Sequence, residues 1–447
     1  MSLTSRALRS GDEYLAAAVH SAAPPAQRDS LEALLFATPK RKRQFGAAIY
    51  TPASLLEALA SDDDPRVRLR VAGNPSAPAR ALSRLLQGEG ACAVTAAVAA
   101  HTNAEPEILA RLQGSASSEA RLALCGNRNT PPATLCALVR GASLSEMKAL
   151  AGNPNATIEI LQELWRNGDL YLRAEVAAHP SAGAVLIDEA LRSPEPLIRR
   201  KVAANPALAV GLIETLLDDP EGSVRAAAVR SLTPDRPVPN RLASDPCPKV
   251  RRAEARYFGL KPELAMRLAS DRDHWVRRWL ARNPWAPDFV LRKLAADEEV
   301  EVRRGVSRNR SCSADLVKQL ALDPSAWVRA GVALRDDVPD EILQEFGKER
   351  DVDVVSAVGR NARTSKALLV RIAQHDNADV RRSVVLNRKA PREALAPLFE
   401  DPYPMNRALL ARHPNLSPKD LESMLTDPEP QVRFTAATSL VKRLCSN

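Results

Sequence analysis

One interval constrains this chain more than any other feature: the same short pattern returns every 26 residues. The stretches VRLRVAGNP ending at Pro75, LRAEVAAHP at Pro180, IRRKVAANP at Pro206, VRRWLARNP at Pro284 and NRALLARHP at Pro414 align without gaps. The residue before proline then falls on a ladder that runs His101, Asn127, Asn153, His179, Asn205, Ser231, Tyr257, Asn283, Asn309, Arg335, Asn361, Asn387, His413 and Ser439, with Asn74 one step upstream at a spacing of 27. A degenerate further unit reads around Ala48. A fixed period sustained over so many units means a stacked array, because each unit buries its apolar face only against its neighbours.

Each unit reads as two short helices. The first is placed after an acidic residue, often Asp-Pro as at Asp219-Pro220, Asp245-Pro246, Asp323-Pro324, Asp401-Pro402 and Asp427-Pro428, since an acidic N-cap and an early proline both suit a helix start. It stops at the residue before proline, which is pushed out of the helical region. The second carries Leu three residues apart, as in Leu135 and Leu138 or Leu291 and Leu294, on one face. Ser417-Pro418-Lys419-Asp420 reads as a capping-box-like start. The abundance of proline, 34 residues, beside only 4% aromatics is what many short helices joined by proline turns produce.

These readings give an all-α chain, a solenoid of about fifteen 26-residue two-helix repeats by the repeat rule. Residues 1–47 are assigned to N-terminal capping helices (GDEYLAAAVH, DSLEALLFA) and a degenerate first repeat, 48–441 to the array, and 442–447 to a C-terminal tail. The N-terminus lacks a signal-peptide core, and nowhere do about 18 apolar residues run together. The expectation is a soluble, cytoplasmic protein. Six cysteines are scattered without metal or disulfide spacing.

The unit D-P-x-x-x-V-R-R-x-V-A-x-N-P-x-x-P-x-x-L-L-x-x-L-A resembles the leucine-rich repeat variant family, over roughly residues 48–441. That resemblance implies a bacterial, HEAT-like right-handed superhelix of alternating α- and 3₁₀-helices. Some members carry an N-terminal cysteine cluster for an iron–sulfur centre. This chain has no cysteine before Cys92, so no cluster, and no cofactor or metal, is carried over.

The arginine following the first apolar column recurs in most units, including Arg225, Arg251, Arg277, Arg303, Arg329, Arg381 and Arg407. At about 100° per residue Arg277 lies between Val276 and Ala281 on the packed side. A structural role follows, pairing with the Asp column (Asp245, Asp271, Asp297, Asp323) or with carbonyls of an adjoining unit. Arg278 and Arg282 fall opposite the apolar stripe, one turn apart, and are expected to face solvent. The same pair recurs as Arg252 with Arg256 and Arg304 with Arg308, whereas other units place Leu69 with Gly73 or Ala330 with Leu334 there.

Charge is concentrated in the same place. Residues 225–310 hold 20 Lys and Arg against 11 Asp and Glu, a net of +9, while the rest of the chain holds 43 of each. Trp275, Trp279, Trp285 and Tyr257 lie in or beside this region, and Trp327 shares the column of Trp275 two units on. Such a surface steers acidic partners, and its aromatics serve as protein hot spots or base-stacking platforms; tryptophan as filler between repeats is the structural alternative. Upstream, SLTPDRPVPN at 231–240 puts three prolines where a second helix should run, so an irregular unit is expected. The PKRKR run at 39–43 is a solvated loop or helix end, with phosphate contact as its alternative reading.

The reading of function is a non-catalytic interaction scaffold that binds an acidic protein partner through Arg252, Arg256, Trp275, Arg278, Trp279, Arg282, Trp285, Arg304, Arg308 and Trp327. The alternative is a DNA- or RNA-binding repeat protein using the same surface. Protein leads because the chain outside this region is charge-balanced. An enzyme resembling solenoid DNA glycosylases is set aside because no unit shows an acidic residue that the Asp column leaves unexplained. No nucleophile elbow, phosphate loop or metalloprotease motif is present.

Overall fold

The computed structural model describes residues 16, 19–20, 25–48, 51–87, 92–114, 117–233, 238–257 and 260–445. These contain helices and turns only, arranged as a helical repeat solenoid. No helix among them is long and apolar enough to cross a membrane. They divide into two compact units, one drawn from 1–209 and 441–447 and one from 210–440.

In the 1–209 unit, first helices such as Pro65–Ala72, Ser118–Gly126 and Leu170–Ala178 alternate with second helices such as Ala79–Leu85, Pro132–Val139 and Ala184–Leu191. The basic PKRKR run opens the helix Pro39–Ala47, where Lys42 pairs with Asp62 at 2.6 Å and Arg43 with Asp64 at 3.5 Å. Of the GDEYLAAAVH stretch only residues 16, 19 and 20 are described, and DSLEALLFA enters the helix Pro25–Leu35.

The 210–440 unit repeats the scheme. Its first helices are Gly222–Ser231, Pro248–Glu254, His274–Ala281, Val300–Ser307, Ala326–Ala333, Val352–Arg360, Ala378–Val385 and Pro404–Leu410. Most second elements are short α-helices, among them Pro262–Leu268, Asp288–Leu294, Ala314–Leu320 and Lys366–Ile372. Alternation of α with 3₁₀, implied by the family resemblance, is therefore the minority pattern here. It is clearest in the proline-rich unit, whose second element shrinks to the 3₁₀ turn Asn240–Ser244; residues 234–237 of that unit lie outside the described residues.

The Asp-Pro aspartates are not the helix caps the sequence suggested. Helix Pro248–Glu254 is capped at Cys247, and Ala326–Ala333 at Ser325, two residues past Asp245 and Asp323. Each aspartate instead accepts the N–H two residues on, Cys247 to Asp245 and Ser325 to Asp323 at 2.8 Å, and turns its other carboxylate oxygen toward an arginine. The Ser417 to Asp420 capping box forms as expected.

Two side-chain ladders tie successive repeats together. In the first, the Asn column reaches back one unit: Asn283 Nδ2 donates to the Ala255 and Tyr257 carbonyls at 3.0 and 2.9 Å, and Asn309 Nδ2 to those of Ala281 and Asn283, both at 2.8 Å. Where histidine replaces asparagine, as at His179, Nε2–H donates to the Asn153 carbonyl while Nδ1 accepts from Ser181 N–H, so the ring makes the same inter-repeat contact. The histidines of this column thus have a structural role. Among the described residues no cluster of three or more His, Cys, Asp and Glu is poised to hold a metal.

The second ladder is the arginine column. Arg277 Nε and Nη2 grip Asp297 at 2.6 and 3.0 Å while Nη1 donates to the Asp271 carbonyl at 2.9 Å. The motif repeats at Arg225 with Asp245, Arg251 with Asp271, Arg303 with Asp323, Arg329 with Glu349, Arg381 with Asp401 and Arg407 with Asp427. Burial alone would raise these aspartates, but the hydrogen bonds from arginine and backbone outweigh it and hold Asp245, Asp271, Asp401 and Asp427 below the ordinary carboxylate value. The regularity of this column is scaffold, as its place on the packed side requires.

Candidate functional site: an arginine and tryptophan face

The first helices of the 274–333 region stand close because small residues line their contact. A Cβ on Gly305 would lie 2.9 Å from the Ala281 Cβ, and one on Gly331 2.1 Å from the Ser307 Oγ. Glycine at these two positions is what lets neighbouring helices approach. With the Arg277 column turned to the paired side, the next arginine in each helix stands on the remaining face.

That face is built by stacking. Arg278 lies over the Trp275 ring with its guanidinium carbon 4.7 Å from the centroid, one turn along the same helix. Arg252, from the preceding helix, reaches the same ring at 6.0 Å. Trp279 is covered in the same manner, by Arg256 at 4.1 Å and by Arg282 at 5.9 Å. Arg304 sits 3.8 Å from the centroid of Trp327 on the following helix. These contacts bring together eight of the ten residues singled out in the sequence, and Arg308 lies one turn along from Arg304 at the end of the same helix. The tenth, Trp285, lies in the turn after the helix, 61% exposed. The two exposed indoles of the helix row, Trp275 and Trp327, are each about 40% exposed, so they are not filler between repeats.

Three expectations need correction. Arg282 and Arg308 are exposed, but Arg278 is only half-buried, because neighbouring helices and Trp275 close over it; its Nε is fully buried with no hydrogen-bond partner. Tyr257 is not part of the surface: it is 4% exposed, takes the place of asparagine in the inter-repeat ladder and donates to the Thr233 carbonyl at 2.7 Å. Glu254 is an acidic residue that the Asp column does not explain. It stands four residues after Val250, where other units place Leu280 or Val306, and is fully buried with neither carboxylate oxygen hydrogen-bonded. Burial pushes its pKa up to about 8, with Arg267 pulling it down and Asp245 adding to the rise. The signal was in the register: a glutamate in the second apolar column.

The electrostatics of the face are those of crowded like charge. Of its six arginines, Arg252 pairs with Asp273 at 2.6 Å. Arg256, Arg278, Arg282, Arg304 and Arg308 have no carboxylate partner among the described residues. Burial, then Arg278 and Arg308, lower the pKa of Arg282; burial, then Arg308, Arg282 and Arg278, lower that of Arg304, with Asp353 opposing. Arg282 and Arg304 remain cationic at neutral pH. At the border, Arg310 is paired with Asp336 and Arg335 with Asp337, so positive charge beyond Arg308 is neutralised. A face of mutually repelling guanidiniums, five of the six stacked on indoles, gains by accepting carboxylate or phosphate oxygens.

No protein-family profile matches the chain, and no curated protein does. Among solved structures it is similar to a leucine-rich repeat variant with a novel repetitive structural motif, at 25% identity over 57% of this chain and 94% of that one, with a TM-score of 0.34. It is also similar to Kap95p, from a study of its binding to RanGDP, at 9% identity over 98% of this chain and 66% of that one (TM-score 0.32). A mutant of Kap121p matches at 11% identity over 98% and 57% (TM-score 0.31).

Proposed function

We propose that this chain is a non-catalytic interaction scaffold, of the leucine-rich repeat variant type, whose arginine and tryptophan face in the 225–310 region, continued to Trp327, binds an acidic protein partner. The observation that carries the reading is the crowding of five guanidiniums without carboxylate partners, Arg256, Arg278, Arg282, Arg304 and Arg308, on one face, the first four of them stacked on indoles. The consensus unit, with its period held from His101 onward, supports the family assignment.

A protein partner fits better than nucleic acid because the indole faces are already occupied by arginine. A base would have to displace Arg256 from Trp279 or Arg304 from Trp327, whereas a carboxylate takes the outward N–H edges of a stacked guanidinium and leaves the stack in place. Glu254 does not revive an enzymatic reading, since its carboxyl is sealed in the core between helices.

The test is a titration of the full chain, followed by tryptophan fluorescence, with poly-L-glutamate and separately with random duplex and single-stranded DNA at low and high salt. Tighter binding of poly-L-glutamate, lost in an Arg278→Glu/Arg282→Glu variant, supports the proposal. Tighter binding of DNA with steep salt dependence moves the assignment to nucleic acid, and binding of neither removes the surface as a site.

A further inference from the structure

We infer that the face takes an extended, proline-containing acidic segment in the polyproline II conformation, laid across the first helices with an acidic residue at every third position. This rests on the acidic-partner reading above and specifies the form of the ligand.

The geometry begins with the repeat. Arg252, Arg278 and Arg304 are each 26 residues apart and occupy one register of three successive first helices, so the spacing of their guanidiniums is the spacing of the helices. The helices of Arg278 and Arg304 pack through Gly305 against Ala281, which sets them at the near end of the usual separation of about 8–10 Å, whereas Trp279 fills the corresponding position between the helices of Arg252 and Arg278. A polyproline II chain rises about 3.1 Å per residue and returns to the same side after three, about 9 Å along its axis. Residues i and i+3 of such a segment therefore meet the Arg278 and Arg304 rungs in one register. A β-strand, whose side chains alternate, turns every third residue to the opposite side and cannot do this.

The chemistry between the rungs agrees. Trp275 and Trp327, each covered on one side by its stacked arginine, keep about 40% of their surface exposed, and that remaining apolar surface is what proline rings can pack against without displacing the guanidinium. Stacking fixes each guanidinium plane: Arg278 over Trp275, Arg256 over Trp279, Arg304 over Trp327. The N–H edges that remain are oriented before the ligand arrives, which reduces the ordering cost of binding. The second register, Arg256, Arg282 and Arg308, lies one turn along and is exposed, so an acidic side chain has a second guanidinium within reach at each rung. An acidic α-helix returns to one face every seven residues, about 10.5 Å at about 1.5 Å per residue, and overshoots the rung spacing.

The experiment compares synthetic peptides on the full chain: a Glu-Pro-Pro repeat, a composition-matched peptide with the glutamates clustered at one end, and a proline-free helix-forming peptide with glutamate at every seventh position. Tryptophan fluorescence and calorimetry give the affinities, with poly-L-glutamate as reference. The Glu-Pro-Pro repeat is expected to bind at least about tenfold tighter than the clustered peptide, a difference of about 1.4 kcal/mol. Arg304→Ala, on the face and outside the Asp ladder, should remove most of that preference without changing helicity by circular dichroism. Equal affinities, or tighter binding of the helical peptide, overturn the polyproline inference while leaving the acidic-partner reading intact. If poly-L-glutamate and all three peptides fail to bind a folded chain, the underlying reading falls with it.

Discussion

Replacing Glu254 by Leu is expected to stabilise the 210–440 unit, and to do so more strongly as pH rises. The carboxyl has a pKa of about 8 in the fold against an ordinary value of 4.5, so the folded chain holds its proton where the unfolded chain has released it. Stability from this group is whole below pH 4.5 and is lost as pH rises through 8. The loss at pH 7 is about 3 kcal/mol and approaches about 5 kcal/mol above pH 8, at about 1.36 kcal/mol per pKa unit. Glu254→Leu restores the side-chain type that Leu280 supplies in the same column and should abolish the slope. Glu254→Gln should also flatten the profile, with a smaller gain because an unbonded polar group stays buried. Urea unfolding followed by tryptophan fluorescence suits the measurement, since four of the five tryptophans lie between 275 and 327. Titration curves of stability with the same slope between pH 5 and 8 for wild type and Glu254→Leu would refute the reasoning.

Other perturbations separate scaffold from surface. Asp271→Ala leaves Arg251, itself only 7% exposed, without its carboxylate, and should cost about 3–5 kcal/mol in urea unfolding at pH 7. Because Asp245, Asp271, Asp401 and Asp427 are held below the ordinary value of 3.8, the stability they confer is present above that pH and should be lost as pH falls below it, seen as acid unfolding that Asp271→Asn blunts at that rung. Asn283→Ala strips the donor from the Ala255 and Tyr257 carbonyls and should cost about 2–4 kcal/mol by thermal or urea unfolding. Gly331→Ala places a methyl against Ser307 and should destabilise by about 1–3 kcal/mol, with Ser307→Ala relieving part of the cost.

The repeat scaffold was legible because each repeat imposes the same demands on the same positions. The Asn column, the arginine after the first apolar column and the small residue beside Gly305 and Gly331 all answer to contacts made once per unit. The clustering of Arg252, Arg278 and Arg304 with tryptophan was also legible, as departures from a regular background. What the sequence concealed depends on neighbours in space. Helical-wheel angles put Arg278 in solvent, yet flanking helices bury its Nε. Tyr257 lies beside the basic region in sequence, but its position in the Asn column buries it and sends its hydroxyl to the Thr233 carbonyl. Asp245 and Asp323 were read as caps, since their local sequence suits a helix start, and only the arginine 20 residues earlier explains their displacement.

The most direct test of the central claim is a charge swap on the face. Wild type and the Arg278→Glu/Arg282→Glu variant are each titrated with poly-L-glutamate and with poly-L-lysine at two salt concentrations. The account predicts that wild type binds poly-L-glutamate, more weakly at high salt, and that the variant, equally folded, loses this and gains affinity for poly-L-lysine. Unchanged binding of poly-L-glutamate by the folded variant would place recognition elsewhere and contradict the account.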